Sequence, residues 1–194
     1  AGVPLFAPLG GDVLLALGTA QFRTVLDASE APGGRQSLLQ AATIAKAMDV
    51  IEKFTGKRPV GWLGPGLTQT LDTPEYLVEG GVKYIGDWVW DDEPAEIKTK
   101  NGSLVTLPYT LELNDIAVMM LHHHEGRHWV DRVQDSFDRL YEEGKERVKV
   151  ISIAIHPYIS GQPHRIKYLE QVYDYMNRFE GVLHWNGEEL LDWY

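Results

Sequence analysis

The sequence predicts an α/β fold in which strands and helices alternate and the strands pair in parallel, interrupted by one small antiparallel hairpin. Three observations predict it. Val148, Val150, Ile151, Ile153, Ala154 and Ile155 form a nearly continuous β-branched run, the pattern of a strand buried on both faces beneath helices. Residues 58–89 read as strand, helix and strand, an order that calls for a right-handed crossover and parallel pairing. Asn101-Gly102 between β-prone residues is a hairpin signal.

Residues 1–37 are rich in Gly, Ala and Pro, with one short apolar run from Val13 to Leu17, and read as an arm or an edge strand. The organised part is expected over 38–194. Leu38, Ala42, Ala45, Met48 and Ile51 recur at helical spacing, and Gly56 follows as a C-cap. Arg58–Gly64 reads as a strand. Thr73-Pro74 opens a helix with a capping hydroxyl and a proline in the first turn. Val82–Val89 is the second strand, Ile97–Val105 the hairpin, and Pro108–Asp115 an irregular loop. Val130, Val133, Phe137, Leu140 and Tyr141 mark a helix ended by Gly144. After the strand that stops at His156, the residues Ile166, Leu169, Val172, Met176 and Phe179 mark another, closed by Gly181. Val182–Trp185 reads as a short strand, and Asn186 with Glu189 as a capping box.

Composition narrows the function classes. With 194 residues the chain is one domain, or one domain with an arm. A net charge of -10 and the lack of any basic patch argue against a nucleic-acid partner, since a phosphate backbone would be repelled. The absence of cysteine excludes disulfides and thiolate chemistry, so any metal must be held by His and carboxylate. Ala1–Ala20 lacks a basic n-region and is broken by Pro4, Pro8, Gly10, Gly11 and Asp12, so it reads poorly as a signal peptide or membrane span. The compartment stays open, with the cytoplasm favoured. A first residue other than methionine suits a processed or excised piece.

Polar residues gather at the ends of successive expected strands. Trp62 and Pro65 follow the first, Asp87, Asp91 and Asp92 the second, and His156 and Arg165 the last. Proline lacks the N–H that a ladder needs, so Pro157 turns the chain out of the sheet and leaves His156 at its carboxyl end, where α/β folds place chemistry. A carboxylate beside that imidazole makes an acid/base pair. The plainer alternatives are a histidine that caps a strand, a solvated acidic turn at Asp91-Asp92, and a rim-packing tryptophan at Trp62.

Four segments carry a family resemblance: GWLGPGLTQT (61–70), YIGDWVWDDEP (84–94), LPYTLELND (107–115) and SIAIHPYISGQPHR (152–165). Together they resemble the second half of a polysaccharide deacetylase of the NodB-homology type, in the branch with allantoinase-like and peptidoglycan-deacetylase-like members. The resemblance runs from about residue 40 to Tyr194. It implies a partial or distorted (β/α) barrel and hydrolysis of a non-peptide C–N bond, in an N-acetylated carbohydrate or a small cyclic amide. It further implies a divalent metal, zinc or similar, whose bound water attacks the carbonyl while a late histidine protonates the leaving group. His156 matches that histidine and Asp87 the carboxylate that tunes it. Trp62, Pro65, Asp91, Asp92, Asn114 and Arg165 match or flank positions near the substrate.

The family holds its metal with an early aspartate and two histidines on an early loop. Nothing before Leu38 resembles either motif, and the first histidine of this chain is His122. The metal ligands are therefore not identifiable in the sequence. His122, His123, His124 and His128 offer a weak substitute, because three consecutive side chains point in different directions and only His124 and His128 share a helical face. Two further readings stay open: a non-catalytic carbohydrate-binding remnant, and a glycosidase-like pair formed by Asp91 or Asp92 with Glu112. Half a barrel exposes strand edges, so self-association through Val82–Val89 or the Arg58 strand, or cover borrowed from the N-terminal arm or a missing N-terminal half, is expected.

Overall fold

The computed structural model describes residues 34–194, with side chains from residue 40. The expected arm, apart from its last four residues, and the Val13–Leu17 run lie outside the described residues. The chain forms two compact units, and among the described residues no helix is long and apolar enough to cross a membrane.

Among the described residues the first unit comprises Gly34–Trp88, Ala95–Leu107 and His184–Tyr194. Helix α1 (Gly34–Thr55) ends at Gly56, whose φ of 77° lets its N–H reach the Glu52 carbonyl at 2.8 Å. The buried stripe of α1 is Ile44, Ala47, Met48 and Ile51, while Ala42 and Ala45, expected on that stripe, are exposed. Ile44 sets the face because an isoleucine buries far more apolar area than an alanine. β1 (Gly61–Trp62) pairs in parallel with β2 (Tyr84–Ile85), joined through α2 (Thr73–Glu79). β2 pairs in parallel with β4 (Gly102–Thr106), and β4 pairs antiparallel with β3 (Ala95–Thr99), with Thr99 opposite Gly102 across the Lys100-Asn101 turn. The result is an open sheet of order β1-β2-β4-β3. β2 is therefore flanked on both sides, so the expected self-association through Val82–Val89 has no free edge there to use. Ile44, Met48, Leu77, Val82, Ile85 and Leu104 form the core. The Tyr84 ring lies so close to Gly61 and Gly187 that a Cβ at either would come within 2.1 and 2.6 Å of it. Helix α5 (Gly187–Trp193) opens on the Asn186–Glu189 capping box.

The second unit comprises Val89–Pro94 and Pro108–Leu183. Helices α3 (Gly126–Glu143) and α4 (Ile166–Met176) pack around Leu113, Val118, Trp129, Val133, Phe137, Ile159, Leu169 and Val172. Trp129 is fully buried and satisfies its indole N–H on the Leu113 carbonyl at 2.8 Å. Ile116–Leu121 forms a wide π-type turn that the sequence reading did not anticipate. Val148–Ile155, expected to be a strand buried on both faces, joins no ladder among the described residues. It is anchored at two points, Val150 N–H to the Asp92 carbonyl at 2.8 Å and Asp115 N–H to the Ala154 carbonyl at 3.1 Å. Ile151, Ile153 and Ile155 are half-buried and pack on the core, Ser152 between them is buried, and Val148 is exposed. Val182–Trp185 likewise pairs with no strand.

Candidate active site

The second unit builds its site around one buried carboxylate. Asp115 has no exposed surface. Its Oδ2 accepts from the His156 backbone N–H at 2.7 Å and from Ser160 Oγ at 2.6 Å, and its Oδ1 lies 2.6 Å from His156 Nδ1. The turn after Pro157 makes this arrangement possible, because Ile159 and Ser160 N–H both donate to the His156 carbonyl and so bring Ser160 back beside Asp115. Burial pushes the Asp115 pKa up, but the hydrogen bonds from the His156 ring, Ser160 and the His156 backbone outweigh it, and the net shift is downward. Asp115 is therefore ionised at neutral pH. An ionised carboxylate accepts and cannot donate, so Nδ1 must carry the proton, leaving Nε2 as the free ring nitrogen. The imidazole side chain is 31% exposed. The carboxylate is sealed and the imidazole partly open to solvent, the arrangement of a proton donor and acceptor with a fixed tautomer.

The turn also depends on Gly161, where a Cβ would lie 2.3 Å from the Pro157 carbonyl oxygen. Gly161→Ala is expected to displace Ser160 and to cost about 2–4 kcal/mol, read as a lowered thermal midpoint.

Other expected site residues in this unit have simpler employment. Asn114 is buried, with its amide donating to Tyr109 Oη at 2.8 Å and its Oδ1 accepting from Ile116 N–H at 2.8 Å, so both ends serve the start of the π-type turn. Asp91 is exposed, and its Oδ1 accepts from the Asp92 N–H. Burial, then the neighbouring Asp91, raises the Asp92 pKa. Arg165 is half-buried, and its guanidinium forms no ion pair among the described residues.

In the first unit, Trp62 packs against the core from β1 and Pro65 opens a tight turn. Within that turn Gly66 and Leu67 both adopt positive φ, 58° and 55°. Leu67 is strained there, since a branched side chain disfavours that region. Asp87, just past β2, is 2% exposed; its Oδ1 accepts from Gly64 N–H and its Oδ2 has no partner among the described residues. Burial pushes its pKa up to about 6, partly opposed by the Gly64 hydrogen bond. The carboxylate on the His156 ring is thus Asp115, where the sequence reading had assigned Asp87. Asp115 stood beside Asn114 at the end of a quoted motif, but nothing local marks which of the chain's 28 acids folds back onto an imidazole 41 positions away.

The described residues do not fit the metal that the resemblance implies. No group of three or more His, Asp or Glu among them could hold an ion. His122, His124 and His128 do line up, with ring centroids 5.9 and 5.4 Å apart, but all are exposed and the three do not converge.

The fold and this couple together define an α/β protein that presents a carboxylate-held imidazole at the end of an extended apolar segment. No family profile matches the chain. It is 26% identical over 185 residues to a peptidoglycan deacetylase of Helicobacter pylori, covering 77% of this chain and 61% of that protein. Its fold superposes on the crystal structure of PuuE allantoinase with a TM-score of 0.72 at 27% identity, covering 78% of this chain and 51% of that one. A probable polysaccharide deacetylase from Pseudomonas aeruginosa PAO1 gives 0.69 at 29% identity with the same coverage. The chain is thus similar, in sequence and in fold, to polysaccharide and peptidoglycan deacetylases and to an allantoinase. It spans 61% of the length of the curated relative and about half that of the two structures.

Proposed function

We propose that this chain serves a hydrolase that cleaves a non-peptide C–N bond, removing the acetyl group from an N-acetylated carbohydrate, with His156 as the proton donor to the leaving nitrogen. The observation that carries the reading is the Asp115–His156 couple, in which Nδ1 is committed to a buried carboxylate and Nε2 is left free. The reaction adds water across the amide. As the C–N bond breaks, the nitrogen must gain a proton or leave as an unstable amide anion, and an imidazolium Nε2–H placed beside it supplies that proton. Asp115 stabilises the imidazolium while it exists and keeps the ring from flipping. Names of the relatives support the substrate class: one is a peptidoglycan deacetylase and another a probable polysaccharide deacetylase. Within the second unit Arg165, half-buried and without an ion pair, is the expected contact to an oxygen of the substrate. By resemblance a divalent metal belongs to this chemistry; its ligands are not among the described residues.

The test is release of acetate from N-acetylglucosamine oligomers. His156→Gln is expected to lower turnover by about 10²–10⁴-fold while leaving the circular-dichroism spectrum and thermal midpoint nearly unchanged. Unchanged turnover in a folded variant would refute the assignment. Oligomer binding by the wild type without any hydrolysis would identify the alternative, a carbohydrate-binding remnant.

A further inference from the structure

We propose that Ser160 is a positioning residue for the proton transfer: it locks the Asp115 carboxylate so that one oxygen alone serves the His156 ring, and it keeps that ring acidic enough to release its proton. This rests on His156 being the proton donor to the leaving nitrogen. Ser160 is 2% exposed, and both of its donors are committed inside the turn. Its backbone N–H donates to the His156 carbonyl at 3.0 Å, and its hydroxyl to Asp115 Oδ2 at 2.6 Å. Oδ2 also accepts the His156 backbone N–H at 2.7 Å. A carboxylate oxygen has two lone pairs, so these donors fill Oδ2 and leave Oδ1 to His156 Nδ1, 2.6 Å away.

The hydroxyl also sets how much negative charge the imidazole meets. Asp115 has no exposed surface, so solvent does not share its charge. Burial works against its anion, and the His156 ring, Ser160 and the His156 backbone N–H work for it, in that order. Among the described residues Ser160 is thus the donor to Asp115 that does not itself belong to His156. Of the titratable side chains, Asp115 and Tyr158 are those placed against the imidazole, Tyr158 with its ring centroid 5.5 Å away. Without the Ser160 hydroxyl the same charge rests on two donors, both from His156. The bond from Nδ1–H then strengthens, the imidazolium is held more tightly, and Nε2–H becomes a weaker acid when the leaving nitrogen needs its proton. A serine that only filled space would leave all three unchanged.

The experiment uses the 194-residue chain with Ser160→Ala and with Ser160→Cys, whose thiol is a weaker donor. Acetate release from N-acetylglucosamine oligomers reads turnover across pH, and proton NMR reads the His156 Nδ1–H signal. In Ser160→Ala, kcat is expected to fall about three- to tenfold with KM within about twofold of the wild type, because so buried a hydroxyl does not reach the substrate. The alkaline limb of kcat/KM is expected to move up by about half to one pH unit, and the Nδ1–H signal to move downfield. Ser160→Cys should fall between the two on both scales. A folded Ser160→Ala or Ser160→Cys protein with limb and signal at their wild-type positions overturns the assignment, as does a raised KM with unchanged kcat. If the wild type lacks turnover, or His156→Gln keeps it, the underlying proton-donor reading fails. If His156→Gln loses turnover while the Nδ1–H signal is unmoved in Ser160→Ala, only the Ser160 assignment fails.

Discussion

Asp87→Asn is expected to make the protein more stable at neutral pH, by about 2–3 kcal/mol, and to flatten its stability between about pH 4 and 6. The carboxyl group is 2% exposed, takes one hydrogen bond from Gly64 N–H and leaves Oδ2 without a partner among the described residues. Burial disfavours the charged form, and the pKa rises from 3.8 to about 6. The sign follows from proton binding. Between those two values the folded state holds a proton that the unfolded state has released, so raising the pH favours unfolding. The stability that Asp87 contributes is fully present below about pH 4 and is lost as the pH passes 6. Asparagine keeps the Gly64 hydrogen bond and cannot ionise. In thermal denaturation followed by circular dichroism, the wild-type midpoint should fall across that window while the variant's does not. The variant should melt roughly 4–12 °C higher at pH 7. Equal pH slopes in the two proteins would show that Oδ2 is solvated or paired in solution.

What the sequence disclosed and what it hid divide by range. The Asn186–Glu189 box and the Gly56 cap each depend on residues within a few positions, and both stand where the sequence put them, whereas the turn between β3 and β4 falls at Lys100-Asn101, one residue before the Asn101-Gly102 pair that the sequence marked. Parallel pairing of β1 with β2 was legible because a crossover helix leaves few other arrangements. Strand lengths were not: Val82–Val89 shrinks to Tyr84-Ile85, since ladder bonds depend on the partner strand and not on β propensity. For the same reason Val148–Ile155 has the composition of a central strand and no ladder. Ile116–Leu121 escaped because LELNDIAVMML shows neither amphipathic spacing nor a familiar cap, and its start is fixed by Asn114 reaching Tyr109 and Ile116. At the site, Pro157 made the end of the apolar run at His156 readable. The identity of its carboxylate was not readable, because a pairing across 41 residues leaves no spacing to detect.

That carboxylate yields the other large expected effect. Asp115→Ala removes the acceptor shared by Ser160 Oγ, His156 Nδ1 and the His156 backbone N–H, in a position with no access to solvent. Stranding three donors is expected to cost about 3–5 kcal/mol, enough to threaten the turn itself, so loss of activity in this variant alone would not separate positioning from folding. Asp115→Asn makes the separation. An amide of the same shape can still accept at one atom but presents N–H groups at the other, and the imidazole must answer with a lone pair at Nδ1, moving its proton to Nε2. The imidazolium that donates from Nε2 then loses the negative charge that stabilised it, and the neutral Nε2–H left in its place is a far weaker acid. Turnover is expected to fall by about 10²–10⁴-fold with the fold retained. The ¹⁵N shifts of His156 should report Nδ1–H in the wild type and Nε2–H in the variant. The downward shift of Asp115 also sets a direction in pH: its contribution to stability is present above the ordinary aspartate pKa and disappears as the pH falls through its lowered one. The opposite dependences of Asp87 and Asp115 make the two assignments separable in one titration, with Asp87→Asn removing the loss on the neutral side and Asp115→Asn removing the loss on the acid side. A folded Asp115→Asn protein with wild-type turnover and an unmoved tautomer would mean that the couple is structural.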